Sequence, residues 1–425
     1  MRGWPRPPLL FGSVAVRVEA EVLIPGRGEP VADGAVVFDG PAIAYAGPKA
    51  GAPEAAQVVR VPVVMPGMWD CHTHFIGIRH VDMAVALHEH AALCGARAAV
   101  DAARVLQAGF TSVREVGGFG IHLATAVADG SIAGPTIYAA GAFLSQTGGH
   151  GDVHRVPLAW VHESSARLGK RQLCDGVAEC VRAVRLQLRV GAKVIKVCAS
   201  GGVLSELDDP IHQQFSDEEL RAIVEEAGRA DRVVAAHCHG KPGIMAALRA
   251  GVRTIEHGSY LDAEAAAAMR EAGAILVPTR FIVDRMLALT DKVPPFAAAK
   301  IVAVAARHLE AMSIAHEAGV TIALGTDIGT SGLDTLAPWG MNGHELGHLT
   351  AAGLTPLEAI EAATATAPLT LGPQAPRSGL LAEGYDADVL AVSANPLEDI
   401  AVLTDPANIS HVWKAGVAVK EPAQA

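Results

Sequence analysis

The sequence is short of aromatic side chains (4% of 425 residues) and of charge (19%), and its acids outnumber its bases to leave a net charge of −11. An acid excess with no run of Lys or Arg excludes a nucleic-acid groove, which must neutralise successive phosphates. No apolar stretch approaches the roughly 18 uninterrupted residues of a membrane-spanning helix, so no membrane association is expected. The six cysteines (71, 94, 174, 180, 198 and 238) include no Cys-x-x-Cys pair. A chain of this size needs no disulfide staples, and a cytoplasmic location is expected. Arg2 and Arg6 precede only a short apolar piece, residues 7–16, broken by two prolines and Gly12, which argues against a secretion signal.

What the sequence does have is apolar mass. Half of its residues are hydrophobic, enough for a large core. From residue 13 to about 61, short apolar runs (14–18, 35–38 and 43–46) are separated by Gly, Pro and Asp turns, the pattern of a small antiparallel sheet. Residues 388–392 and 411–416 resume that style. The two ends are therefore expected to form one small β-sandwich-like domain from residues 1–62 plus 376–425. Between them, over 63–375, strand-like runs alternate with helical ones. The strand candidates are residues 63–70, 111–116, 136–140, 193–199, 233–237, 254–257, 274–277 and 321–325, and helices are expected over 216–230, 241–250, 262–272, 295–318 and 355–365. Ser216 with Glu219 reads as a capping box, and Thr355 before Pro356 as a helix start. Eight such βα units predict an α/β protein with a TIM-type (β/α)8 barrel, whose functional groups gather at the C-terminal ends of its strands.

Histidine patterning picks out a site. With 18 His, chance supplies about 0.8 His-x-His pairs, and the chain has three, so no pair is informative without its context. His88 and His90 fall within residues 81–107, a stretch with helical spacing. On a helix, positions i and i+2 diverge by about 200° and cannot grip one ion. His72 and His74 instead close the apolar run that ends at Cys71, and strand neighbours two apart share a face. They can share one metal. His237 and His257 end later strand-like runs, and Asp327 follows the last. His239 shares the face of His237 if that strand continues, but Gly240 and Pro242 suggest an early end and favour His237.

Lys196 is the oddest residue of this set, because Val194, Ile195, Val197 and Cys198 make it part of a buried strand. An unpaired ammonium there loses its proton or costs several kcal/mol. A structural lysine would snorkel to a strand end or pair with a carboxylate. A neutral amine, by contrast, can add carbon dioxide and become a carbamate, an oxygen ligand able to bridge two metal ions. The loop 146–152, with its Gly-Gly-His150, lacks the Lys-Ser/Thr of a phosphate loop and reads as substrate-facing. Residues 200–203 fit either such a loop or a tight turn.

Residues 65–74, ending in Cys71-His72-Thr73-His74, together with Ala387-Asp388 after Gly384, resemble the amidohydrolase superfamily over essentially the whole chain. Residues 196–203 and the Gly-rich loop around His150 are most similar to its Xaa-Pro dipeptidase and imidazolonepropionase-like branch. That branch includes metal-dependent dipeptidases, N-acyl amino acid hydrolases and ochratoxin-hydrolysing amidases. The resemblance implies that His72, His74 and Asp327 bind one divalent metal ion and His237 and His257 a second. Lys196, carboxylated by carbon dioxide, would bridge them, and the donor types point to Zn2+. Asp327 and Lys196 would carry the catalytic roles, with His150, Tyr260 and Arg280 as substrate-binding candidates. The expected reaction is hydrolysis of a small-molecule amide or dipeptide substrate by a homo-oligomer, octameric in many relatives of the branch. Two other readings stand beside it, a cyclic-amide or lactone hydrolase with the same metals and a barrel that has lost catalysis.

Overall fold

The computed structural model describes residues 15–422. The N-terminal piece read against a secretion signal lies, up to Val14, outside the described residues. Strands Val16–Leu23, Val31–Asp39, Ala42–Pro48 and Gln57–Pro66 join Val389–Val392, Ile409–Lys414 and Val417–Lys420 in one seven-stranded sheet made from both ends of the chain. Pairing is antiparallel except between Val16–Leu23 and Gln57–Pro66.

This sheet buries side chains on both of its faces. Strand side chains alternate faces, and along Val389–Val392 all four are buried in two different cores. Val389 and Ala391 join Val18, Phe38 and Trp413 in a cluster of the sheet's own, while Leu390 and Val392 join the main core of the molecule. One face thus packs on the parallel-sheet body, and the other encloses a core of the terminal sheet's own, as a sandwich-like domain would. Phe38 against Trp413, edge to face at 5.8 Å, joins the two ends.

The body contains two parallel sheets. One has the order Thr321–Ile322, Ile275–Val277, Thr254–His257, Val234–Cys238, Ile195–Cys198, Phe143–Ser145, Arg171–Leu173, and the other runs Ile328–Thr330, Met68–Ile78, Phe110–Glu115, Thr136–Ala139. Backbone hydrogen bonds link the sheets at both seams, Lys193 N to Ala139 O (2.8 Å) and Cys71 N to Leu324 O (2.8 Å). Trp69, Cys71, Ala235, Ile275, Val277 and Ala323 pack together from both sheets.

Two sequence expectations need correction. The run 63–70 is not one strand, because it breaks at Gly67: Gln57–Pro66, which crosses the expected boundary after residue 62, belongs to the terminal sheet, and Met68–Ile78 opens the parallel one. A Cβ on Gly67 would lie 2.1 Å from Thr111 Oγ1, so only glycine lets the chain cross between sheets here. The stretch 81–107 is not one helix either. Asp82 caps Met83–Ala86, and the His90 ring accepts from Ala92 N (3.2 Å) to start Ala91–Gln107, which makes His90 a cap rather than a mid-helix residue. The capping boxes at Ser216/Glu219 and Thr355/Glu358 form as expected. All six cysteines are free and buried.

Candidate functional site

Met68–Ile78 runs on past its two histidines, so His72 and His74 lie inside the strand rather than at its end. Asp327 arrives from the neighbouring segment, where its N–H donates to His72 O at 2.7 Å. Its Oδ1 then lies 3.5 Å from His72 Nε2 and 3.3 Å from His74 Nε2. Asp70 fixes this joint. Its Oδ1 accepts from His72 N and Thr326 N, and its Oδ2 from Thr326 Oγ1 and Asn342 Nδ2.

A second group comes from Val234–Cys238 and Thr254–His257. His237, His239 and His257 bring three donor atoms within 4.8 Å of one another, as do His72, His74 and Asp327. His239 therefore belongs with His237, which sequence spacing had preferred to it. The two groups touch, with the His72 and His257 rings 4.9 Å apart.

Every imidazole in both groups is tied through one ring nitrogen to a partner outside its group. In the first group, His72 Nδ1 meets Glu256 Oε2 (2.7 Å) and His74 Nδ1 meets Gly117 O (2.8 Å). In the second, His257 Nδ1 meets Thr279 Oγ1 (2.8 Å), His239 Nδ1 meets Ser259 Oγ (2.8 Å), and His237 Nε2 meets Gly201 O (3.1 Å). Such outer contacts fix the tautomer and the aim of metal-binding histidines. The two donor sets fit two divalent cations.

Electrostatics suit the same role. Burial, then Lys196, pushes His72 down to about 4, and burial with His150 pushes His239 to about 3. Burial also lowers His237 and His257 well below the usual histidine range, so these rings are neutral and their lone pairs free. Burial opposes ionisation of Asp327, but His72, His74 and Lys196 outweigh it and hold the carboxyl at about 2. Lys196 is 3% exposed, its Nζ 3.3 Å from His72 Nε2, and burial lowers its pKa although Glu256 pulls the other way.

Beneath His72 lies a charged pair that sequence reasoning missed. Glu256 takes Arg114 Nη2 on both carboxylate oxygens at 2.7 Å and is also bonded by Thr254 Oγ1, all fully buried. Burial favours the neutral acid, yet Arg114 and then His72 keep Glu256 ionised. The available signal was an acid inside an apolar strand next to His257. Backbone strain gathers at the same place: His257 (φ 70°), Thr279 (φ 57°) and Asp327 (φ 61°) all adopt left-handed conformations at or just beyond strand ends. Each costs about 1–3 kcal/mol and persists only where the surroundings impose it.

The donors floor a cavity of about 180 Å³ whose walls are largely apolar, with Ile76, Val81, Met83, Phe143, Val283 and Leu336 among them. His150 lines it too. Its ring stacks on His237 at 4.3 Å and its Nδ1 meets Ser205 Oγ at 2.9 Å. A Cβ on Gly202 would fall 1.9 Å from His150 Nδ1, which explains the glycine in residues 200–203. Tyr260 and Arg280 are not among the lining residues. Arg280 turns instead to Asp284 (2.6 Å) and Ala305 O (3.1 Å), and a residue that starts helix Arg280–Ala288 is held outside the wall.

Residues 63–419 match the Amidohydrolase family. Ochratoxinase from Aspergillus niger is 48% identical over 423 residues, covering 95% of this chain and 86% of that one. The crystal structure of A. niger ochratoxinase matches with a TM-score of 0.91 at 46% identity, covering 98% of each chain. A prolidase crystallised with N-methylphosphonate-L-proline matches with a TM-score of 0.87 at 34% identity, covering 96% of this chain and 100% of that one.

Proposed function

The chain belongs to the amidohydrolase family, and from that membership we propose that it hydrolyses the amide bond of dipeptides or N-acyl amino acids, ochratoxin-type phenylalanine amides included. The observation that carries this reading is the pair of touching donor groups at the floor of an apolar cavity. We read the two parallel sheets, bridged at both seams, as one closed (β/α)8 barrel, with the site at the C-terminal ends of its strands.

His72, His74 and Asp327 would hold one divalent cation, and His237 and His257, with His239 beside them, a second. Zinc suits this nitrogen-rich set. Bound cations supply Lewis acidity and lower the pKa of water toward neutrality. Lys196, its proton already weakened by burial, would add carbon dioxide: the amine lone pair forms the Nζ–C bond, one proton leaves, and the carbamate would supply oxygen donors for the cations.

Asp327 takes the proton of the attacking water at its free carboxylate oxygen and passes it to the departing nitrogen. His150 lies where it can donate to the substrate. The apolar walls take the side chains and exclude water from the reacting bond.

The test is a screen of the zinc-loaded enzyme against dipeptides and N-acyl amino acids, with an ochratoxin-type phenylalanine amide among them. Cleavage of at least one class, lost on chelation and restored by zinc, is the expected result. No cleavage of any of them at full zinc loading would reject the reading.

A further inference from the structure

One charged group of the cavity takes no part in this scheme. Arg171, on the short strand Arg171–Leu173, is 4% exposed and lines the cavity. Its guanidinium makes no hydrogen bond or ion pair among the described residues. The acid with the largest influence on it, Asp152, is already engaged: its Oδ2 accepts from Gly148 N (2.9 Å) and its Oδ1 from Val153 N (2.7 Å). A buried charge without a partner is costly, and proteins seldom keep one without a use. Burial draws Arg171 down to about 10, which still leaves it protonated at neutral pH.

Its position relates it to the donor groups. Arg171 pairs in register with Phe143, whose ring would meet a Cβ on Gly117 at 2.6 Å, and the Gly117 carbonyl holds His74. On the next strand Cys198, which also lines the cavity, stands two residues beyond Lys196 on the same face. Lys196 and Arg171 are the Lys and Arg side chains of the lining, and Lys196 is committed to the floor. Apart from Lys196, Arg171 is thus the fixed positive charge of the cavity.

We propose that Arg171 is the receptor for the free carboxylate of the substrate's leaving amino acid, gripping it through two parallel N–H···O bonds. The inference rests on the amide-hydrolase reading and deepens it. Dipeptides and N-acyl amino acids share one feature beyond the amide itself, a carboxylate on the amine side, and a planar guanidinium fork matches that group. The site would then select acids over their amides or esters. It would act as an exopeptidase and pass over internal peptide bonds.

The experiment compares N-acetyl-L-phenylalanine with N-acetyl-L-phenylalaninamide on the zinc-loaded full-length protein, in wild type, Arg171→Gln and Arg171→Lys. Wild type is expected to favour the acid. In Arg171→Gln, the ratio of kcat/KM for acid over amide should fall about tenfold to a hundredfold, the range expected for a lost charged hydrogen bond, with KM carrying most of the change. Arg171→Lys should recover part of the ratio, since it restores the charge but not the fork. An unchanged ratio in Arg171→Gln overturns the proposal, and so does an equal loss on both substrates accompanied by a lower Tm. Calorimetric binding of L-phenylalanine against L-phenylalaninamide gives a readout independent of turnover. If wild type cleaves nothing yet binds the acid more tightly than Arg171→Gln does, the hydrolase reading fails and the carboxylate receptor stands. Equal binding by the two proteins removes the receptor.

Discussion

The two donor groups touch, yet they are built differently. His72, His74 and Asp327 include an anion, and His72 leans on Glu256, itself locked to Arg114. His237, His239 and His257 are three neutral rings steadied only by a carbonyl and two hydroxyls. A carboxylate in the donor set, and another behind His72, raise the local negative charge and the basicity of the ring. The first group should hold a cation more tightly, while the second should exchange it more readily. The difference also divides the labour, because only the first group carries a carboxylate to relay a proton.

The sharpest way to break this comparison is Asp327→Asn. It should keep the fold and most of the bound metal while kcat falls about a thousandfold or more, within the upper range for proton-transfer groups. Turnover near wild type, measured beside metal content, would contradict the proposed relay. Lys196→Met should come next, with activity down about a hundredfold and fewer cations held, because the shared oxygen ligand is lost. A wild-type metal count in that variant would count against the bridge.

Glu256→Gln tests the charged support in isolation. It leaves Arg114 buried and unpaired, so stability should drop by about 3–5 kcal/mol in chemical denaturation. The second group has no counterpart to lose. Thr279→Val removes only the hydroxyl behind His257, and cation affinity should weaken about tenfold to a hundredfold with little change in Tm. Tyr260→Phe should have the smallest effect, with kinetics near wild type, since Tyr260 does not line the cavity.

Sequence alone was enough to read most of the parallel strands and several of their helices, because their apolar runs are punctuated by Gly and Pro. The donors His72, His74, His237, His257 and Asp327 stood out as polar groups at strand ends, and Lys196 as a charge inside a strand. Three-residue strands such as Phe143–Ser145, Arg171–Leu173 and Ile328–Thr330 are too short for a period-2 pattern to register. The break at Gly67 was illegible because it depends on Thr111, a residue brought close only by folding. Arg114 with Glu256 escaped for a similar reason, since 142 residues separate partners that meet only once the sheets form. Arg280 misled because a polar residue near a strand end can face the helix layer as easily as the cavity, and its contact with Asp284 decides the matter.

The central claim, two unlike cation sites in one cavity, is tested most directly by titrating the metal-free protein with zinc calorimetrically while anomalous diffraction follows which site fills. Two ions per chain should bind in two resolved steps, the site at His72, His74 and Asp327 filling first. One ion or fewer per chain at saturation, or simultaneous filling of both groups with equal affinity, would contradict it.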